Sequence, residues 1–525
     1  MWATIIELKR ISRASDLMHV DGASSDNIGL NDGRVTMAPF SAACIINFQS
    51  SECNASEGKT MSWKKGMNCC LWDEVTCDAK TGNELNLGGN DFNMFPVASQ
   101  FDQLTGLTHL DISSSSFSGK IPLEISYLSK LSSLDLSDNY GLMFEGHVFE
   151  TVVGNLTQLR HLLLSGVSMS SVEPTSFLNM SFYITTLIPE GNRLQGKFPE
   201  DVFQFSYLEK FHLNGFHCPY LKMFYPNGFQ CPYPMKLFLN GSHCLYLEKF
   251  FYVEFHGLEI NLPKTNWSGP LKSLELSSSH LQELPDSIGN LRSLEILDLS
   301  YTNLTGPIPA TLANLAQLKR LDLSKNNLSG LLPIPVFNFT QVEYLDFSRN
   351  NLIGSLPSRV SGILRLHWLG LNENFLSERV LSWLFSFPSL EVFWLSNNKL
   401  TGTIDQSDKV GALELSKLEE LDLSNNCLLS LTSASNVDYS LPFLWKLNLS
   451  SCNASEFLNF VRNLEGLTSL DLSYNRIRAI EADMFVKLKW LQILVLSHNR
   501  PLSLNNNNNI KSCPAPSFFL TIVFL

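Results

Sequence analysis

A seven-residue phrase recurs along this chain at a spacing that leaves few folds open. Leu294-Glu295-Ile296-Leu297-Asp298-Leu299-Ser300 returns as Leu318-Lys319-Arg320-Leu321-Asp322-Leu323-Ser324 and as Val342-Glu343-Tyr344-Leu345-Asp346-Phe347-Ser348. Starts at 271, 294, 318, 342, 366 and 390 set a period of 23 or 24 residues. Inside the phrase apolar and polar residues alternate, which is the period of a half-buried strand. One such strand cannot bury its apolar side alone, so the units must stack, each touching only its neighbours. The expectation is an α/β solenoid with a parallel β-sheet on its concave face. The 525 residues then set the number of stacked units rather than the number of domains. A stack of this kind offers a long open face, suited to binding other macromolecules.

Residue roles follow from the alternation. In 318–341, Leu321 and Leu323 point inward, while Lys319, Arg320, Asp322, Ser324 and Lys325 point outward. Asn326 follows, able to satisfy backbone groups as the chain leaves the strand. Asn139, Asn350, Asn374, Asn398, Asn426, Asn475 and Asn499 hold the same place, with Ser115, Ser279, Thr302 and Cys452 as small hydrogen-bonding replacements. A second phrase comes next, as in Leu304-Thr305-Gly306-Pro307-Ile308-Pro309 and Leu352-Ile353-Gly354-Ser355-Leu356-Pro357. Gly permits a tight, left-handed backbone. Pro ends the extended piece before a helical turn on the far side.

Chemistry is otherwise missing from the sequence. There is no Gly-x-Gly-x-x-Gly, phosphate-binding loop, His-Arg-Asp segment or His-Glu-x-x-His, so neither an enzyme nor a cofactor is expected. The net charge is −12 and the Lys and Arg residues are scattered singly, which gives no electrostatic reason to bind nucleic acid. Charges crowd the first twenty residues, and no secretory leader is readable there. Phe518 to Leu525 is apolar, but eight residues fall short of the roughly twenty a membrane span needs. Against this stand ten Asn-x-Ser/Thr sequons, at Asn54, Asn155, Asn179, Asn240, Asn266, Asn303, Asn327, Asn338, Asn448 and Asn453. That number fits a chain that meets the glycosylation machinery.

The Leu-x-Gly-x-Ile-Pro phrase resembles the plant-specific class of leucine-rich repeats. Ahead of the repeats, Ser62-Trp63-Lys64-Lys65-Gly66-Met67-Asn68-Cys69-Cys70-Leu71-Trp72-Asp73-Glu74-Val75-Thr76-Cys77-Asp78 looks like the N-terminal cap of plant cell-surface leucine-rich-repeat receptors. Ile125-Ser126-Tyr127-Leu128-Ser129-Lys130-Leu131 and Asn266-Trp267-Ser268 agree with one branch, the receptor-like proteins, many of them tied to disease resistance. The resemblance covers roughly residues 60 to 500. It implies a plant-type leucine-rich-repeat superhelix, a plasma-membrane location on the extracellular side, and signalling in defence or development through a partner receptor-like kinase. It implies a Cys70–Cys77 disulfide, and a second from Cys69 to Cys44 or Cys53. Glu74 departs from the family's usual Gly, and would strain a turn that needs positive φ. Two other readings stay open. One is a secreted inhibitor of cell-wall-degrading enzymes, resembling polygalacturonase inhibitors; the other is an inactive truncated product.

The expected organisation is an atypical segment 1–40, a cap 41–82, repeats 83–208, an irregular segment 209–270, repeats 271–500 and a tail 501–525. The irregular segment holds its own thirteen-residue repeat: Asn214-Gly215-Phe216-His217-Cys218-Pro219-Tyr220 returns from Asn227 and again from Asn240. Its Cys218, Cys231, Cys244, His217 and His243 lack the close Cys pairs of structural zinc sites, so tandem duplication is the stronger reading. On the outward face, Trp394 takes the position usually held by Asp, and Tyr344 and Trp368 stand one place before the first strand Leu. Strands about 4.8 Å apart would bring them into one patch with Asp346 and Arg320. This is the candidate site for an extracellular peptide, protein or carbohydrate ligand. The competing reading is that the rings merely lean on the neighbouring repeat.

Overall fold

The computed structural model describes residues 76–77, 83–97, 99, 101, 104–214, 258–265, 267, 270–356, 362–379, 387–403, 417–430, 441–458, 461, 463–481, 488–500, 503–505 and 521–523. The chain divides into two compact units, Met1–Val172 with Asn179–Ser181, and Glu173–Leu178 with Phe182–Leu525. Each is a stack of leucine-rich repeats.

In the first unit the strands Glu84–Asn86, His109–Asp111, Ser133–Asp135 and His161–Leu163 pair in parallel with no slip: Leu85 faces Leu110, which faces Leu134, which faces Leu162. Thr76–Cys77 pairs antiparallel with Glu84–Asn86 and so covers the open edge of the first repeat. Cys69, Cys70, Glu74 and the disulfides assigned to them lie outside the described residues.

The second unit repeats the pattern. Its sheet runs through Thr186–Ile188, Lys210–His212, Ser273–Glu275, Ile296–Asp298, Arg320–Asp322, Tyr344–Asp346, Trp368–Gly370, Val392–Trp394, Glu420–Asp422, Lys446–Asn448, Ser469–Asp471, Ile493–Val495 and Thr521–Val523. Thr521–Val523 pairs in parallel with Ile493–Val495 as a strand of this sheet. Among the described residues, no helix is long and apolar enough to cross a membrane. The centres of the strands, Leu297, Leu321, Leu345, Leu369 and Phe393, are fully buried in one continuous core.

The Asn ladder supplies the polar half of each interface. Asn326 Nδ2 donates to Leu299 O of the preceding repeat at 2.8 Å and to Leu323 O of its own at 3.1 Å. Its Oδ1 accepts from the amides of Thr302 at 2.9 Å and Leu304 at 3.0 Å. The stand-ins keep part of this: Ser115 Oγ donates to Leu87 O, Thr302 Oγ1 to Leu299 O and Cys452 Sγ to Leu423 O. The residue before the ladder position takes a left-handed conformation even when it carries a side chain, as at Lys325 (φ 55°) and Arg349 (φ 56°). That conformation costs about 1–2 kcal/mol. Its amide is thereby delivered to the next repeat, Lys325 N to Ser348 O at 2.8 Å.

The second phrase forms a second sheet of Thr305–Pro307, Asn327–Leu331, Asn351–Gly354, Phe375–Arg379, Lys399–Thr403 and Leu428–Ser430. Its glycines do adopt positive φ, 80° at Gly306 and 87° at Gly354. Pro309 and Pro285 then lead into short 3-10 turns, Ala310–Asn314 and Asp286–Asn290.

One joint in the second unit differs from the rest. Lys210–His212 pairs directly and in register with Ser273–Glu275, Phe211 facing Leu274. Asn214 Oδ1 accepts from Ser277 N at 2.8 Å, and Lys272 Nζ meets Glu209 at 2.8 Å. Downstream, Leu258–Ile260 pairs with Gly196–Phe198 in a separate two-stranded sheet, each strand standing where its repeat's second phrase falls. Residues 215–257 therefore leave one repeat after its strand and return before its second-phrase strand. Cys218, Cys231, Cys244, His217 and His243 lie outside the described residues.

Candidate ligand-binding face

Pairing places the outward strand positions in two rows. One row reads Glu275, Asp298, Asp322, Asp346, Gly370, Trp394, Asp422, Asn448 and Asp471; the other holds Arg320, Tyr344 and Trp368 in succession. The Asp residues have a local duty before any other. Asp298, Asp322, Asp346, Asp422 and Asp471 each accept the amide of the Ser two residues on, at 2.8–3.1 Å. Leu-Asp-Leu-Ser is thus a strand ended by an Asx turn. This turn is why the phrase recurs so faithfully.

Tyr344, Trp368 and Trp394 come together, with Arg320 at one end. The Arg320 guanidinium lies 3.8 Å from the Tyr344 ring centre. Tyr344 stacks on Trp368 at 5.4 Å and 16°. Trp368 meets Trp394 edge-on at 4.5 Å and 67°. All four side chains are partly exposed. Both readings weighed from the sequence describe part of this geometry: the rings lean on neighbouring repeats, and together they form one continuous, accessible strip.

Beneath the strip lie carboxylates. Asp322 and Asp346 stand on the outward face yet are only 6% exposed, because Arg320 and Tyr344 bind them. Arg320 NH2 is 3.1 Å from Asp322 Oδ2 and 3.7 Å from Asp298 Oδ2, and Tyr344 OH donates to Asp346 Oδ2 at 3.2 Å. Asp346 cannot meet a ligand unless this cover moves. Gly370 makes the arrangement possible: a Cβ there would sit 2.5 Å from Asp346 Oδ1. Burial, then the neighbouring charges of Asp298 and Asp346, push the Asp322 carboxyl up to about 7 against the pull of Arg320. Burial, then the carboxylates of Asp322 and Asp346, raise the Tyr344 phenol above its ordinary value.

Two buried polar atoms in the repeat at 366 have no hydrogen-bond partner, Trp368 Nε1 and Asn372 Oδ1. The sequence marks Trp368 for its ring, not for an unmet N–H. Asn372 was legible, however, as the residue that replaces Ser in Leu371-Asn372-Glu373-Asn374.

Seven sequon asparagines lie among the described residues. Asn155, Asn179, Asn303, Asn327, Asn338 and Asn453 are exposed, and Asn448 is partly so. Asn155 closes the helix Gly146–Asn155 and Asn338 a 3-10 turn, while Asn327 opens a second-sheet strand. Only Asn448 sits within a strand of the main sheet, where its Oδ1 accepts from Ser450 N. Asn54, Asn240 and Asn266 lie outside the described residues.

Comparison with known proteins agrees with this architecture. Leucine-rich-repeat family profiles match residues 270–328 and 459–500, and again 106–128 and 341–363. The chain is 34% identical over 280 residues to receptor-like protein 9DC1 of Solanum pimpinellifolium, covering 47% of this chain and 28% of that protein. It is 36% identical over 184 residues to receptor-like protein Cf-9 of the same species, covering 30% and 21%. It therefore spans less than a third of the length of these curated relatives. Among solved structures it is similar to a TDR receptor (TM-score 0.60, 25% identity, 79% of this chain and 64% of that one). It shares the fold of the Arabidopsis receptor kinase HAESA, solved with the peptide hormone IDA and the co-receptor SERK1 (TM-score 0.56, 20% identity, 83% and 78%). With the repeat register and the Asn ladder described above, these matches show a leucine-rich-repeat protein that is similar, over the parts matched, to plant receptor-like proteins.

Proposed function

We propose that this chain is a ligand-recognition ectodomain of a plant cell-surface receptor-like protein, and that the strip from Arg320 to Trp394 binds an extracellular peptide. It acts by binding rather than catalysis, and passes the signal to a partner receptor-like kinase. The observation that carries this is the pair of unmet polar atoms beside the aromatic strip. A buried N–H or C=O left unpaired costs about 1–3 kcal/mol. Both atoms are buried, so an extended peptide, which carries an acceptor and a donor on every residue, meets them only when the Trp368 ring turns outward. Half-exposed aromatic rings supply the apolar contact area that dominates such interfaces. The sequons favour this stretch: among the described residues, the main sheet carries one only at Asn448, beyond the strip, where a glycan would block a partner.

The test uses the immobilised protein to retain peptides and proteins from plant extracellular fluid. Trp394→Ala and Trp368→Ala should each weaken retention by about 30-fold, equivalent to about 2 kcal/mol. Trp490→Ala, at an exposed ring outside the strip, should leave it intact. Equal retention by both strip variants would reduce the rings to repeat-to-repeat packing.

A further inference from the structure

Three side chains beside the joint at Asn214 have no part in the reading above. His212 and Glu275 occupy the outward position that Asp holds elsewhere, and Glu190 occupies the position of the following Ser one strand earlier. They come from three successive stretches of the sheet, on both sides of the departing segment 215–257. His212 Nδ1 is 3.7 Å from Glu190 Oε1, and His212 Nε2 is 3.5 Å from Glu275 Oε1. One ring nitrogen and one oxygen of each carboxylate all lie within 4.8 Å of one another. The side chains are 18%, 26% and 24% exposed for His212, Glu190 and Glu275, so the cluster is sheltered but open to entry.

The surroundings hold these groups in place. Asn214 Nδ2 donates to Glu190 Oε1 at 2.8 Å. Ser273 Oγ is 2.9 Å from His212 Nε2 and 3.1 Å from Glu275 Oε1. Polar neighbours that orient ligating side chains are a regular part of metal sites. Burial lowers the imidazole's pKa against the pull of Glu275.

We propose that Glu190, His212 and Glu275 form a divalent-cation site bridging the strands on either side of the joint. Neighbouring ligand atoms of a tetrahedral ion with bonds of about 2.0–2.1 Å stand roughly 3.3 Å apart, and one atom from each residue already lies within 4.8 Å of the others, so the set must draw in to hold the ion. The two carboxylates approach opposite ring nitrogens, so binding needs one glutamate side chain to swing to the nitrogen that the other faces. An imidazole with two carboxylates suits Zn2+ better than Ca2+, which takes six to eight oxygens. Bound there, the ion pins together the strands from which residues 215–257 depart and so closes the split repeat.

The experiment titrates the full chain, stripped with a chelator, with Zn2+ by calorimetry and by thermal unfolding. Binding of Zn2+ with a rise in melting temperature is expected, and Co2+ in its place should give visible absorption without a thiolate charge-transfer band. Glu275→Gln and His212→Gln should each weaken Zn2+ at least about tenfold. Their melting in chelator, compared with the parent, reports whether they fold. Hydrogen exchange on the unsubstituted chain gives an independent reading, since Zn2+ should slow it at 186–190, 210–214 and 273–277. No Zn2+ binding, equal binding by both folded variants, a thiolate spectrum alone, or unchanged exchange at those strands would each overturn the proposal.

Discussion

Replacing Asp322 by Asn should stabilise this protein at neutral pH, although it removes a charge partner of Arg320. Asp322 Oδ1 accepts from Ser324 N at 3.1 Å and Ser324 Oγ at 2.7 Å, and an amide oxygen can keep both bonds. Its Oδ2 meets Arg320 NH2 at 3.1 Å; that bond is lost, and Arg320 retains Asp298 at 3.7 Å. The carboxyl titrates near 7 when folded, against about 3.9 when unfolded. Between those values only the folded state holds the proton, so this group makes stability fall as pH rises from about 4 to 7. A shift of about three units corresponds to roughly 4 kcal/mol as an upper bound. Losing a hydrogen bond to a charged group returns about 1.5–3 kcal/mol of that. Asp322→Asn should therefore be more stable than the parent by about 1–2 kcal/mol at pH 7.5. Near pH 5, where the parent's carboxyl is already protonated, it should be no more stable. Urea unfolding of both proteins at the two pH values reads the difference. Parallel midpoints, with the same offset at both, would show that Asp322 does not titrate in this range.

Leu321→Ala should cost roughly 2–5 kcal/mol, and hydrogen exchange should quicken across 294–365 but not in distant repeats, because repeats stabilise only their neighbours. Gly370→Ala should destabilise by about 1–3 kcal/mol in thermal unfolding, since its Cβ would displace the Asp346 carboxylate 2.5 Å away. Unreduced peptide mapping after alkylation at pH 8 should find Cys70 joined to Cys77 in secreted protein and label the exposed Cys427. It should spare Cys452, whose thiol burial pushes up to about 12.

The strand phase, the inward leucines and the Asn ladder were legible because each is written by one residue's neighbours. Leu321 and Asn326 need only the alternation around them and a copy one period away. The site was legible in part. Tyr344, Trp368 and Trp394 could be placed in one patch from register alone, but the room that Gly370 leaves beside the Asp346 carboxylate depends on a pair of repeats, and no single-repeat pattern encodes it. The bond from Tyr344 to Asp346 and the unpaired atoms of Trp368 and Asn372 depend on side-chain packing that the alternation does not specify. The cluster of Glu190, His212 and Glu275 was hidden for a different reason. Sixty-three positions separate His212 from Glu275 in the chain, and the period resumes only if residues 215–257 are set aside. The same break made 209–270 read as one irregular block, although its ends, at 210–212 and 258–260, are ordinary strands of the stack.

The joint after Asn214 also says how a stack like this can acquire new material. The entropy of closing a flexible loop grows only as the logarithm of its length, about 0.6 kcal/mol for each doubling. Phe211 still faces Leu274 although 215–257 come between them in the sequence, so the register of the two strands is kept across the added length. By this logarithm, added length at such a joint costs little, whereas one added residue inside a strand would turn its leucines outward. The thirteen-residue phrase returning from Asn214 to Asn227 to Asn240 is the kind of trace that repeated duplication leaves at such a tolerant place.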